Sequence, residues 1–437
     1  MLVMFLVVES LSLLIPPLQS ADESAHLSRA YLLSEGDIFL EAPDGDTGGN
    51  IDTGLVAYIA SFDSVTSQYQ TKVTRANILS SQQLTWTGRR QFQDIFNTAV
   101  YFPIPYIPQA AAFFIGEHAH LRIATTYYLS RLLSLFVALS LLFAAAALYP
   151  MPLFVLALFV TPMSLFQLAS PSLDGVTFGT CALMAALFLR GSDPRVSFTR
   201  CMHAGLSLCC LSLAVSRIAM IPVTLLPLAL FSKRRSYAYV LSAAFSFLLS
   251  VAWIAYAVVT VKGMPGREVG ALGTLFEYVL HPASLFWIVF NTFTNTDVLW
   301  SYWAQFVGVF GYLDTPLDPY VYITFALCLG ALVAISFWCD RFHRLDQGDW
   351  ILIASAVLSL FLNFVIELIT WTPPGAQEIE GIQGRYFTPV LIIGGYALFR
   401  GPPLQAAIKW EAAITVFFAA IAILSTVPKL LYRYWIS

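Results

Sequence analysis

From residue 123 onward the chain is a succession of apolar runs, each close to the length a helix needs to cross a bilayer, with little charge inside them. A hydrocarbon core about 30 Å thick is crossed by roughly 20 predominantly apolar residues in helical form. Candidate spans fall near 1–17, 123–148, 152–170, 175–190, 201–216, 217–232, 237–261, 319–338, 351–371, 385–400 and 411–428, which makes about eleven. Those at 175–190, 201–216 and 217–232 are short or closely abutted, so one of them can be re-entrant where it lines a cavity. Composition agrees: of 437 residues only 11% are charged and 58% are hydrophobic, with mean hydropathy +0.72. An ordinary soluble domain carries about 25% charged residues, so this surface faces lipid. The expected fold class is an all-α polytopic membrane protein.

The formal net charge of −3 is too small to imply a nucleic-acid partner. The cysteines (Cys181, Cys201, Cys209, Cys210, Cys328 and Cys339) avoid the long polar loop, so neither a disulfide framework nor a thiol zinc site is expected. Residues 1–17 have the apolar look of a signal peptide but lack a basic n-region and a small-residue cleavage site, and read as a retained first membrane helix.

Lys and Arg in short loops set the orientation. Arg190, Arg195 and Arg200 share one connection, Lys233, Arg234 and Arg235 the next, then Arg341 with Arg344, then Arg400 with Lys409. With the N-terminus inside, all of these are cytoplasmic, and Lys429 and Arg433 fall on the other side as a small violation. The expected organisation is a first transmembrane helix (1–17), a large extracytoplasmic loop (18–122) and a transmembrane bundle (123–261). An aromatic extracytoplasmic segment (262–318) and C-terminal helices (319–437) with an outer loop at 372–384 follow. The first loop is punctuated at Asp44-Gly45-Asp46-Thr47-Gly48-Gly49-Asn50. It ends in the Pro-broken Tyr101-Phe102-Pro103-Ile104-Pro105-Tyr106, which suits helices lying in the interface. The second, with Phe286, Trp287, Phe290, Phe293, Trp300 and Trp303, is either a set of interfacial helices over an acyl chain or an anchoring aromatic belt. No internal repeat is evident.

Ionisable residues at membrane depth are expensive and usually functional. On the outward side collect Asp22, Glu23, His26, Asp174, Arg217, Glu367, Glu378, Glu380 and Arg385. Carboxylates with arginine on one face can bind a phosphate and abstract a proton. Asp22, just past a Pro-ended helix, is a candidate base, and equally a helix N-cap. Glu23 can share the role, or sit in a first turn favoured by the helix dipole. His26, four residues after Asp22, can bind substrate or metal, or be a structural histidine. Ser170-Pro171-Ser172-Leu173-Asp174-Gly175 reads as a capping turn or as a place where an acceptor hydroxyl docks. Gly381-Ile382-Gln383-Gly384-Arg385-Tyr386-Phe387-Thr388-Pro389 is the sharpest string. Two glycines permit close backbone approach and Arg385 supplies a planar fork suited to phosphate, flanked by Gln383 and Tyr386. The competing role for Arg385 is a snorkelling anchor. Arg217 is a candidate second phosphate contact.

The set Asp-Glu-x-x-His-x-x-Arg-Ala-Tyr, Ser-Pro-Ser-x-Asp-Gly, Phe-Gly-Tyr-Leu-Asp and Gly-Ile-Gln-Gly-Arg-Tyr-Phe-x-Pro resembles a bacterial polytopic family catalogued as a domain of unknown function. Its layout is similar to that of GT-C glycosyltransferases, and the resemblance runs nearly end to end. It implies a GT-C-like bundle acting on a polyprenyl-phosphate-linked sugar donor and an extracytoplasmic glycan or lipid-linked acceptor, as in O-antigen or other cell-surface polysaccharide modification. The acidic position then falls on Asp22 or Glu23, and the lipid-phosphate contacts on Arg385 and Arg217. Such an enzyme resides in the bacterial inner membrane among its lipids. No cofactor is expected: some GT-C enzymes use a divalent metal, but Asp44-x-Asp46 departs from a calcium loop at Gly48. The alternative is a flippase for lipid-linked sugars, which would show a repeat and midplane sites.

Overall fold

A computed structural model describes residues 2–261, 270–338, 345–399 and 405–436. Arg341, Arg344, Arg400, Cys339 and residues 262–269 lie outside the described residues. Among the described residues six helices are long and apolar enough to cross a membrane: Ile123–Leu148, Asp174–Ser192, Tyr237–Thr260, Pro319–Trp338, Gln347–Thr370 and Ala407–Tyr434. Each coincides with a run expected from sequence.

The other five expected spans are shorter or broken helices, so the structure bears out six to seven candidate spans of the expected eleven or so. Leu2–Leu14 has 13 residues and Arg200–Ser216 has 17. The 152–170 run breaks into Leu153–Phe159 and Pro162–Leu168. Pro162 disfavours helical backbone at the preceding residue, and Thr161 is extended there, its side chain capping Ser164 N. The 217–232 run starts as a 3-10 helix, Ile218–Leu225, containing Pro222, before Leu226–Arg234. The 385–400 run is a 3-10 turn, Gly384–Tyr386, followed by the 12-residue Phe387–Leu398. At about 1.5 Å per residue such pieces fall short of a hydrocarbon core, so helix length alone does not make them crossings.

Asp174–Ser192 is the most enclosed of the six, 89% buried along its apolar window. It packs on Ile123–Leu148 at Gly179, where a Cβ would stand 2.6 Å from Ala138 O, the close approach that small residues permit. Its 19 residues set its two ends about 28 Å apart, and different chemistry gathers at each. Near Ser192, Arg190 donates to Leu148 O, and Arg234 to the carbonyls of Gly191, Asp193 and Val196. Near Asp174 gather Asp22, Arg217 and Arg385. Lys429 and Arg433, the residues that violate the orientation rule, pair with Asp318 and Asp314 at 3.2 and 3.0 Å. Arg433 also donates to Val65 O and Thr71 O, tying the last helix to the 18–122 segment.

That segment has its own core around Tyr31, Tyr58, Tyr106, Phe113 and Tyr127. It departs from all-α expectation: Gly48–Asp52 pairs antiparallel with Arg90–Asp94, and a second ribbon joins Val309–Phe310 to Thr315–Pro316. Asp52 closes the first ribbon, accepting from the N–H groups of Gly54, Thr87 and Gly88. The Pro-broken stretch leads into Ile107–His118, which leaves Ile107, Phe114 and Ile115 exposed. In the aromatic segment Gly273–Leu280 and Pro282–Thr294 meet at 98°, with Phe286, Trp287 and Phe290 exposed.

Candidate functional site

Past the first helix the backbone turns through left-handed residues at Leu18 (φ 66) and Asp22 (φ 61), a conformation uncommon outside glycine but tolerated by Asp. Asp22 stands at the N-cap of Glu23–Ser34, yet its carboxylate makes no cap bond. It points into a cleft instead. Oδ1 accepts from Asn97 Nδ2 at 2.9 Å and Oδ2 from Arg385 Nη2 at 3.2 Å. Its side chain is 38% exposed, the condition for touching a ligand.

Glu23 turns the other way. It is fully buried, accepting from Ser20 N at 2.9 Å, from Leu18 N at 3.3 Å and from the Tyr127 hydroxyl, and standing 3.5 Å from Arg131 Nη2. Those bonds tie the turn to Ile123–Leu148, and the side chain does not line the cleft. The two neighbouring carboxylates therefore do not form one catalytic pair, as sequence adjacency allowed.

The glycine-rich string does what its composition implied. Gly384 donates its N–H to Gln305 Oε1 at 3.1 Å, and a Cβ there would stand 2.2 Å from Phe306 N and 2.4 Å from Tyr302 O. Gly381 has φ +87, and its Cβ would meet Trp371 Cδ1 at 2.4 Å and Glu367 Oε2 at 2.6 Å. Arg385, next in line, is 4% exposed, so it is no snorkelling anchor. Its guanidinium lies between two carboxylates, Nη2 on Asp22 and Nη1 3.4 Å from Asp174 Oδ2. Arg217, in extended backbone after Arg200–Ser216, pairs with Asp174 Oδ1. Both guanidinium groups stand over the Tyr386 ring, at 5.7 and 5.2 Å. Asp174 thus holds two arginines side by side, a role its place in a turn did not reveal.

Nε of Arg217, Nε of Arg385 and Oε1 of Gln383 are buried with no hydrogen-bond partner among the described residues. Most buried polar groups are satisfied, so unfilled donors on two adjacent arginines mark a place for an oxyanion. His26 adjoins them: Nδ1 is 2.6 Å from the Tyr106 hydroxyl and the ring stacks on Tyr101 at 6.5 Å. Burial pushes its pKa from 6.5 down to about 3, opposed by Asp22 and reinforced by Arg385 and Arg217. The ring is neutral and acts through hydrogen bonding, not charge. Burial likewise raises the Tyr101 phenol.

The cleft holds about 190 Å³ between Asp22, Asn97, Tyr101, Arg217, Glu367, Trp371 and Gln383. A recess of about 20 Å³ on His26, Asp174 and Arg385 shares Asp22, Asn97, Arg217 and Tyr386 with it. Beyond Phe387 an apolar groove of about 520 Å³ runs along Phe293, Trp303, Phe364 and Leu391. Asn97 and Trp371 were not singled out in the sequence, and Glu367 was noted only as an outward charge.

Apolar helices with a buried charged cleft at one end, covered by a polar segment, define a polytopic membrane protein, and the two arginines of the cleft make it a candidate site for an anionic group. Residues 5–393 match the family model described as DUF2142, predicted membrane protein, and the chain belongs to that family. No curated protein matches it. Among solved structures, ArnT from Cupriavidus metallidurans bound to undecaprenyl phosphate aligns at 14% identity and TM-score 0.32, over 87% of this chain and 74% of that one. A TM-score of that size does not make two folds one, and the chemistry has to be read from the site itself.

Proposed function

We propose that the protein is an integral-membrane glycosyltransferase that moves a sugar from a polyprenyl-phosphate carrier to an extracytoplasmic glycan or lipid-linked acceptor. The observation that carries this reading is Arg385, buried between Asp22 and Asp174 with its Nε unfilled, two residues before Phe387 of the apolar groove. A cationic recess followed in the chain by an apolar groove suits a ligand that is part phosphate and part hydrocarbon.

The reaction is a single displacement. The acceptor hydroxyl attacks the anomeric carbon, the bond from that carbon to the phosphate oxygen breaks, and the lipid phosphate leaves with the electron pair. Arg385 and Arg217 stabilise the departing charge, and Asp22 takes the acceptor proton. Asn97 fixes one oxygen of Asp22, and Asp174 keeps both arginines aimed. The charged groups lie at one end of the Asp174–Ser192 helix, whereas transporters hold substrate near the midplane, which supports transfer over transport. The bacterial inner membrane and its outer face are the proposed setting, with cell-surface polysaccharide as the product class.

The test is carrier binding. A charge-assisted hydrogen bond contributes about 1.5–3 kcal/mol, so Arg385→Ala weakens binding of a polyprenyl phosphate by about one to two decades. Arg385→Lys recovers part of this, since an ammonium cannot make the bidentate fork. Unchanged affinity and turnover in Arg385→Ala would sink the assignment.

A further inference from the structure

One carboxylate of the cleft has no part in this mechanism. Glu367 lies in the last turn of Gln347–Thr370 and lines the cleft but not the arginine recess. Among the described residues no group hydrogen-bonds or pairs with its carboxylate. Asn363, Glu367 and Thr370 all line the cleft, and their spacing puts them on one helical face. A polar stripe on an otherwise apolar helix is costly and marks function.

The surroundings give the ligand's chemistry. Gly381 leaves room for the Glu367 carboxylate and the Trp371 indole to lie against the same backbone. Trp371 and Tyr101 offer flat apolar faces, while Asn363, Thr370 and Gln383 offer hydrogen-bonding groups. Flat rings interleaved with carboxylate and amide groups match a sugar ring, which has an apolar C–H face and a rim of hydroxyls. Size narrows it further. About 190 Å³ is below the roughly 300–1,000 Å³ of pockets for drug-sized ligands, so the cleft takes one ring and not an oligosaccharide. The cleft and the recess share Asp22, Tyr101, Arg217 and Tyr386, so a ring bonded to a phosphate held against Arg217 extends along the cleft.

We propose that Glu367 is the specificity-determining residue of a monosaccharide subsite, accepting hydrogen bonds from ring hydroxyls of the donor's sugar. This rests on the carrier-phosphate reading above. The experiment measures affinity of the full chain in detergent for farnesyl phosphate and for farnesyl phosphates bearing glucose, galactose, mannose, N-acetylglucosamine or arabinose. At least one glycosylated probe binds the wild type more tightly than farnesyl phosphate. Glu367→Gln and Glu367→Ala each cut that advantage by up to about tenfold, the worth of one hydrogen bond, while affinity for farnesyl phosphate falls by much less. The proposal is overturned if no glycosylated probe outbinds farnesyl phosphate, if both variants keep the ratio, or if they weaken all probes equally. Failure of the wild type to bind farnesyl phosphate at all overturns the carrier reading, and this subsite with it.

Discussion

Asp22 and Glu23 are adjacent in sequence and opposite in role because a left-handed residue separates their directions. One carboxylate is aimed at a cleft; the other locks a turn to a helix. Asp22→Asn keeps shape and the Asn97 contact, so it abolishes glycosyl transfer while leaving the protein folded, as a turnover assay beside a melting curve will show. Glu23→Gln does the reverse. It leaves Arg131 buried without its counter-ion, and breaking a buried pair costs on the order of 3 kcal/mol, so the melting temperature drops before turnover per folded molecule does. Near-normal turnover in Asp22→Asn would remove it as the base. His26 adds a pH dependence whose sign is fixed. Its folded pKa lies near 3 against 6.5 for the free group, so between those values the unfolded chain binds a proton that the folded one does not, and stability is lost as pH falls through that window. His26→Asn flattens the slope of melting temperature between pH 7 and pH 5; an unchanged slope would assign the loss to other groups. The sequence showed which charges face one end of the bundle, since charge at membrane depth is conspicuous. It could not show which neighbour looks inward, because that depends on one backbone dihedral. Nor could it single out Asn97, an ordinary loop amide until folding brings it to Asp22 across 75 residues.

Hydropathy located each apolar segment but not its continuity. Five of the six long helices have no proline inside them and Ala407–Tyr434 continues through Pro428, while Pro162 breaks one of the other runs and Pro222 lies in the 3-10 start of another. The broken and short pieces help to build the site, since Arg217 and Arg385 stand where such pieces begin. The Gly384–Tyr386 turn illustrates the constraint. A methyl group at Gly384 meets backbone atoms of Phe306 and Tyr302 at 2.2 and 2.4 Å, and backbone cannot swing aside as a side chain can. Gly384→Ala therefore costs about 1–3 kcal/mol and displaces Arg385, so carrier affinity falls along with melting temperature. Gly394→Ala, in the helix that follows, meets nothing within 4 Å. It replaces glycine by a better helix former and leaves both readouts at or above wild type. Equal behaviour of the two variants would mean that close packing at Gly384 does not position the arginine.

For the whole molecule, the two ends of the bundle differ in the Lys and Arg of their short connections, and that difference gives the expected orientation. Arg190 and Arg234 cap carbonyls around 148 and 191–196, while the exposed Arg195 pairs with its neighbour Asp193 in the same short connection. Cations in short loops are retained on the cytoplasmic side. At the opposite end Lys429 and Arg433 look like a violation in the sequence. Arg433, 1% exposed, lies against Asp314 and the carbonyls of Val65 and Thr71, and Lys429 against Asp318. Both still count as cations at that end, and Arg190, Arg195, Arg200, Lys233, Arg234 and Arg235 outnumber them in the short connections at the other. The cleft end is therefore expected outside, where the proposed lipid-linked donor would meet a surface glycan. With native cysteines replaced, Ala60→Cys, on the 18–122 segment, should react with a membrane-impermeant maleimide applied to intact spheroplasts, and Arg195→Cys should react only after permeabilisation. Protection at 60 with labelling at 195 would invert the molecule, put the cleft in the cytoplasm and overturn transfer to an extracytoplasmic acceptor. Labelling at 60 and protection at 195 would leave the arginines facing the compartment in which surface polysaccharides are finished.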